Sequence, residues 1–492
     1  MHYIESGSVA SLSRSPSPAS TADLDLEALR ALDFFHRFTA EELDRTFTNR
    51  LWSKSLACFM QQQPAIQHGV IALASFHENF VRSSGAVFAQ QRKVIALEHY
   101  GKSIGGIVEL YRKSDEDNFL TTLVSSLVYC AIESMQGHLV SAMKHISAGL
   151  ALLAEQDSSL VEQANRKSGM LSDFVHVLRG LFTGLGTQLL GMEDRFIAPA
   201  LLTYLRNHNQ PVSDSFGTAD DALLNLAYLI NDTMKFMAWA EQSRCDPSFP
   251  NDDQWLAGEQ LQERYEQWTL AYHSLLTAIS TAQPLAQIDK RPAFLILRVN
   301  QIFLKIMLGV RYEREQTSFD RFVGDFLMLI EAAEDFFETE VESSGSYNSN
   351  SSHNILSTKP VFSLSLGVIP AVFFTCGRCR DFDVRHRALS VLKSNRRRES
   401  IWDCQMVARV AERVIVIEEE RSQQYLKVAG SLQGLRPLQK DMVRLSVQGV
   451  PDIARVHTLI VNFMGPERNE AEIFMISLDG SKQHIERFAW EE

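Results

Sequence analysis

Cys376 and Cys379, in the stretch "CGRC", are the residues whose type and spacing come nearest to chemistry in this chain. A CxxC pair can be half of a zinc site, a dithiol for disulfide exchange, or two small buried side chains. A structural zinc ion needs four ligands, usually as two close pairs. Here Cys404 is unpaired and His386 stands alone beyond the motif, so zinc is disfavoured. Redox catalysis on a thioredoxin-like plan needs a mixed sheet around the motif. "AVFFTCGRCRDF" has an apolar run before the cysteines, but the chain continues into "IWDCQMVARVAERVIVIEEERSQQY". There Val407, Val410, Val414 and Ile417 form one helical stripe. The third reading accounts for more residues. Asp381 suits the N-cap of a helix over about 382–393, with Val384, Ala388 and Leu392 facing a core. Cys376 and Cys379 then act as small buried hydrophobes.

Other candidates reduce to structural roles. Histidines 68, 77, 99, 138 and 145 are scattered along helical segments, and His138 and His145 stand two turns apart. They read as satisfied core or surface histidines. "GLFTGLGTQLLG", 180–191, lacks the P-loop lysine and the GxGxxG spacing, and reads as a place where helices approach closely. No HExxH or GxSxG occurs. "KSNRRRES", 393–400, is the one basic cluster, either a solvated helix end or a nuclear-localisation or phosphate patch. No catalytic, cofactor-binding, metal-binding or DNA-binding residue is therefore singled out, no cofactor is expected, and the chain is not expected to be an enzyme. A CxxC redox protein stays open as an alternative.

The elements around these residues are helical. The chain has 492 residues, 45% of them apolar, and a net charge of −12. An acidic chain has no broad attraction to DNA or anionic membrane. The six cysteines show no regular framework, as in a reducing compartment. Residues 1–24 are Ser/Pro-rich and read as a disordered tail, with Ser15 and Ser17 before prolines. From there to about residue 440 the periodicity is helical. Leu26, Leu29, Leu32 and Phe35 form one stripe, and Ile66, Val70, Leu73 and Phe80 a second. Leu139, Met143, Ile146, Leu150 and Leu153 make a third, and Leu295, Val299, Ile302, Ile306 and Val310 a fourth, with Pro292 at its helix start. The uncharged run 360–377 approaches the length of a membrane span, but its prolines, glycines and hydroxyls favour a buried helix or helix pair. A polar loop is expected at 342–354 and a shorter break at 245–254. Within 441–492, "RVHTLIVNFMGPERNEAEIFMISLDG" reads as a β-hairpin packed on the helical body. The expected fold class is all-α, a large multi-helix domain with a small C-terminal β-hairpin.

Four stretches, in order, resemble the helical regulatory region of fungal zinc-binuclear-cluster transcription factors. They are "ALDFFHRFTAEELDRTFTNRLWSKSLACFMQQQPAIQHGVIALASFHE" (31–78), "ALEHYGKSIGGI" (96–107), "IESMQGHLVSAMKHISAGLALL" (132–153) and "CRDFDVRHRALSVLKSNRRRESIWD" (379–403). In that family the cysteine before Arg380-Asp381 belongs to a structural turn, and Phe382 stands where the family often has proline. Family members normally begin with a six-cysteine, two-zinc DNA-binding module. Here the first cysteine is Cys58, already inside the helical region, so direct DNA binding by these residues is not expected. The Ser/Pro-rich tail looks like the linker that follows that module, so the chain is either a regulator without its own DNA reader or the product of a start set downstream of a missing exon. The resemblance implies a nuclear, non-catalytic transcriptional regulator whose partners are co-regulators or other proteins, not membrane. A helical interaction scaffold unrelated to transcription is the competing class.

Overall fold

A computed structural model describes residues 24–46, 50–82, 86–112, 118–164, 169–192, 212–245, 252–281, 284–288, 290–313, 316–345, 360–433, 455–456, 458–464, 470–476 and 482–489. The expected tail at 1–24 and most of the expected polar loop lie outside them.

The entry is a run of short helices, α1 (Leu26–Phe34), α2 (Ala40–Asp44) and α3 (Leu56–Gln62), interrupted by π-helical turns at Phe35–Thr39 and Leu51–Ser55. They lean on α4 (Pro64–Val81), whose first turn opens on a proline and whose side chains from Ala65 to Glu78 are buried except that of His68. Its buried polar residues, Gln67, Ser75, His77 and Glu78, sit among a larger number of apolar ones. Long helices surround it: α5 (Ala86–Arg112), α6 (Asn118–Met135), α7 (Leu139–Ala164) and α8 (Gly169–Leu190). Gly137 makes the α6–α7 corner at φ 74°, which a residue without a Cβ adopts freely. The His138 N–H returns to the Glu133 carbonyl at 2.9 Å and closes the end of α6.

The second half contains α9 (Ala219–Cys245), α10 (Asp252–Ser280), α11 (Leu285–Ile288), α12 (Pro292–Val310) and α13 (Val323–Gly345). It continues with α14 (Ile369–Arg378), α15 (Phe382–Ser394) and α16 (Cys404–Gln433). The stripes read from the sequence on α7 and α12 are buried in one continuous core. Helix α12 is long and apolar enough to cross a membrane, yet it is 72% buried against other helices.

Several expectations change. Leu26 is 80% exposed and Leu29 40%, because α1 packs through the smaller Ala28 and Ala31 and then Phe34. Of the run 360–377, expected as a buried helix or helix pair, the second half is the buried helix α14, and the first half holds a strand, β1 (Val361–Ser363), in place of a second helix. That strand pairs parallel with β2 (Arg397–Glu399), which pairs antiparallel with β3 (Trp402–Asp403). This sheet leaves no periodic signal in the sequence, since its strands are two or three residues long. The C-terminal hairpin forms from β4 (Thr458–Phe463) and β5 (Glu470–Ile476), and β6 (Lys482–Ala489) adds a third antiparallel strand. Its Phe463, Ala471, Ile473 and Phe488 join the main core. Helix α13 runs to Gly345, so it takes the first residues of the expected loop at 342–354.

Candidate functional site

The stretch around "CGRC" is an electrostatic node in the core. Cys376 lies in the last turn of α14 and Cys379 just past its end, and each thiol-bearing residue is only 1% exposed. Burial pushes both thiols up to about 12. A redox CxxC gains its low pKa at a helix N-terminus, where the dipole favours a thiolate. Here the pair occupies the opposite end, where the dipole opposes one. The Asp381 carboxylate accepts from the Val384 N–H at 3.0 Å and caps α15, as expected. Val384, Ala388 and Leu392 face the core, also as expected.

The basic cluster divides in two. Lys393 and Arg396 are exposed at the end of α15, as a solvated helix end, whereas Arg397 and Arg398 are 3% and 2% exposed and form no open phosphate patch. Arg397 donates to Glu340 at 2.5 Å and to Glu399 at 2.7 Å, with its guanidinium 4.9 Å from the Phe336 ring centroid. Burial works against its charge, but Glu340 and Glu399 hold it above the ordinary arginine value. Glu399 also accepts the Val368 and Ile369 N–H groups at 3.1 and 2.9 Å, and so caps the start of α14. A Cβ on Gly367 would overlap this carboxylate, so only glycine fits there. Arg398 donates to the Ser134 and Met135 carbonyls at 2.8 Å each, satisfying the end of α6, and to Asp403 at 3.0 Å. Asp403 accepts from the Gln405 and Met406 N–H groups at 2.9 and 3.0 Å and caps α16. The Trp402 indole donates to the Gln188 carbonyl of α8 at 3.1 Å. The segment "RRESIWD" thus terminates three helices and pins a fourth, because helix ends leave backbone groups that need partners.

A second acid gathers the C-terminal elements. Glu418 of α16, 0% exposed, accepts from Arg385 of α15 and from Arg455, each at 2.7 Å, and from the Val456 N–H at 2.8 Å. Arg455 reaches on to the Gly377 carbonyl inside "CGRC" at 2.6 Å. Burial pulls Arg455 down to about 10; Glu418 opposes this and Arg385 adds to it. Arg380 pairs with Asp320, and Arg387 with Glu334 at 2.5 Å.

The histidines are placed as structural groups, with one juxtaposition that spacing did not reveal. His77 meets Thr39 at 2.9 Å and Glu42 at 3.3 Å, and His138 meets Glu133 at 2.8 Å. His145 packs edge-on to Tyr129. His68 and His99 bring their Nδ1 atoms to 3.1 Å, and burial lowers both below the ordinary histidine value. Among the described residues no group of three or more His, Cys, Asp or Glu side chains could hold a metal ion. The glycines of α8 are not the tightest helix contact. Gly149 of α7 is, since a Cβ there would overlap the Phe182 ring.

The surface offers two features. A depression of about 420 Å³ is lined by Glu27, Arg30, Arg82, Phe88, Gln91 and Arg92. Arg30 and Arg82 share the buried Glu78 at 2.6 and 3.0 Å; Arg92 donates its Nε to Asn79 at 2.6 Å, while its Nη2 is buried without a hydrogen-bond partner. Beside it, the outward face of α5 carries Val87, Val94, Leu97, Ile104 and Val108, all exposed. No sequence stripe had been assigned to this helix, because its apolar residues divide between two faces and neither dominates.

No family model matches the chain, and no solved structure does. Among curated proteins it is similar to the aspercryptin biosynthesis cluster-specific transcription regulator atnN of Emericella nidulans. The two are 22% identical over 467 residues, covering 80% of this chain and 73% of that protein. The chain is therefore distantly similar, along most of its length, to a fungal transcription regulator.

Proposed function

We propose that this protein is a non-catalytic transcriptional regulator of the fungal zinc-cluster type, acting in the nucleus through its helical body on co-regulator proteins. The observation that carries the reading is the extent of the likeness to the Emericella nidulans regulator, 80% of this chain, together with the four ordered stretches that resemble the family. The node supports it physically. The residues in the fourth stretch act as helix caps and buried ion pairs, which is how a motif behaves when it specifies a scaffold. The CxxC thiols, buried and raised to about 12, speak against disulfide exchange. DNA contact is not assigned to any residue of this chain.

The test is a fusion of the full chain to a foreign DNA-binding module, assayed on a reporter carrying that module's sites. Activation or repression relative to the module alone is expected. A reporter unchanged by the fusion, with the fusion protein present and folded, overturns the proposal in favour of a scaffold outside transcription.

A further inference from the structure

We infer that the outward face of α5 is a self-association surface, on which a second copy of this chain packs antiparallel with its own α5 about a two-fold axis near Gly101. The core face of the helix is formed by Arg92, Ala96, His99, Ser103 and Ile107. The opposite face is exposed at Val87 (79%), Val94 (55%) and Leu97 (49%), and also at Ile104 and Val108. These residues recur with steps of seven, three, seven and four, the spacing of a helix–helix seam.

Two glycines interrupt the seam. A Cβ built on Gly101 or on Gly105 meets nothing within 4 Å, so no neighbour inside the chain requires either. Glycine in a helix interior is costly and needs a reason. The neighbouring Gly106 has an internal one, since a Cβ there would press on Ala65 at 2.8 Å. Gly101 and Gly105 face open space one turn apart between large apolar residues, where absent side chains let another backbone come close.

The pattern matches itself. Counted at about 100° per residue from Gly101, Val94 and Val108 lie about 20° to either side, Leu97 and Ile104 about 40° and 60° to one flank, and Glu98 and Lys102 about 60° and 100° to the other. A two-fold axis perpendicular to the helices through Gly101 reverses chain direction and keeps each flank on its own side. It therefore sets Val94 against Val108 of the second copy, Leu97 against its Ile104, and Glu98 against its Lys102. An isologous interface requires this self-complementarity, and it includes opposite charges at related positions. Glu98 and Lys102 now pair within one helix at 2.7 Å, and the same two charges can be exchanged between copies. About a two-fold at Gly101 residues 90–112 of this 27-residue helix overlap, a length of about 34 Å, so a strip about 10 Å wide buries roughly 700 Å² over both copies. That lies at the weak end for specific interfaces and points to a reversible dimer.

The test is sedimentation equilibrium of the full chain from about 1 to about 200 µM, where a reversible monomer–dimer equilibrium is expected. Leu97→Glu and Ile104→Glu, both on exposed positions, should raise the Kd at least about tenfold with Tm unchanged. A mixture of the Glu98→Lys and Lys102→Glu variants should form a heterodimer tighter than either homodimer, because only the mixed pair sets opposite charges across the seam. A monomer throughout the range, a dimer indifferent to these substitutions, or no preference for the mixed pair overturns the inference. None of these readouts depends on transcriptional activity, so this inference and the proposed function fail separately.

Discussion

Replacing Glu418 by Gln should cost more stability than any single apolar truncation nearby, and should do so through charge. The carboxylate is fully buried and is shared by Arg385 and Arg455, which are 1% and 0% exposed at the side chain. Glutamine keeps the shape and can still accept the Val456 N–H, but it leaves two buried guanidiniums without a counter-charge. Breaking one buried ion pair by removing a partner costs about 3–5 kcal/mol. The two pairs here share one acid and are not additive, so about 4–5 kcal/mol is the expected loss. That is about a quarter or more of the roughly 5–15 kcal/mol that holds a typical fold. The assay is urea unfolding followed by far-UV circular dichroism, with midpoints compared at an unchanged m-value. Hydrogen exchange supplies a local readout. Arg455 and Val456 lead into β4, so protection in β4–β6 should fall further than in α12. Adding Arg455→Met to Glu418→Gln should recover part of the loss, since it removes one uncompensated charge. A loss below about 1 kcal/mol, or a double variant less stable than Glu418→Gln alone, would refute the reasoning and make the site one of packing.

Three further outcomes are expected. In the native protein at pH 8, a thiol-labelling reagent should modify Cys58, which is exposed, while Cys376 and Cys379 react at least about a thousandfold more slowly than a free thiol. Peptide mass spectrometry reads the order, and fast labelling of Cys376 or Cys379 would reopen the redox alternative. Gly367→Ala should destabilise the fold by about 3 kcal/mol, because the methyl displaces the Glu399 carboxylate from α14 and Arg397. Gly101→Ala, in open space on an exposed helix, should instead stabilise the dilute monomer by about 0.5–1 kcal/mol, as urea midpoints would show.

What was legible in the sequence was periodic. The stripes on α7 and α12 are complete runs of large apolar residues at helical spacing, and each is buried as read. Asp381 could be read as a cap because an N-cap depends on one local residue type and position. The stripe on α1 held at Leu32 and Phe35 and failed at Leu26 and Leu29, because burial there falls to Ala28 and Ala31, and packing close to α4 favours small side chains. The node was hidden for a different reason. Arginine next to arginine reads as surface, since an isolated buried charge is prohibitive. Glu399 and Asp403 lie close by, but the other partners that make burial tolerable, Glu340 and the carbonyls of Ser134 and Met135, are far away in the sequence. No local signal reports such partners. β1 and β2 were invisible on the same ground, since their parallel pairing joins Val361 to Arg397 across an intervening pair of helices.

The node also bears on what this fold can do. Buried ion pairs seldom add stability beyond what apolar residues of equal volume would give, and their defensible role is to fix one arrangement among several. "RRESIWD" fixes the ends of α6, α14 and α16 against α8 at once, so none of these helices can slide without orphaning a charge or a backbone group. α5 is a contrast. Its inner face meets α4 through Ser103, which donates to the Ala65 carbonyl at 2.6 Å, and through Gly106 against Ala65. Its outer face has apolar side chains and two glycines in water. A rigid interior that gathers helix ends thus stands beside one long helix whose outer seam is unfinished, and a second copy packed on that seam would complete it without disturbing the node.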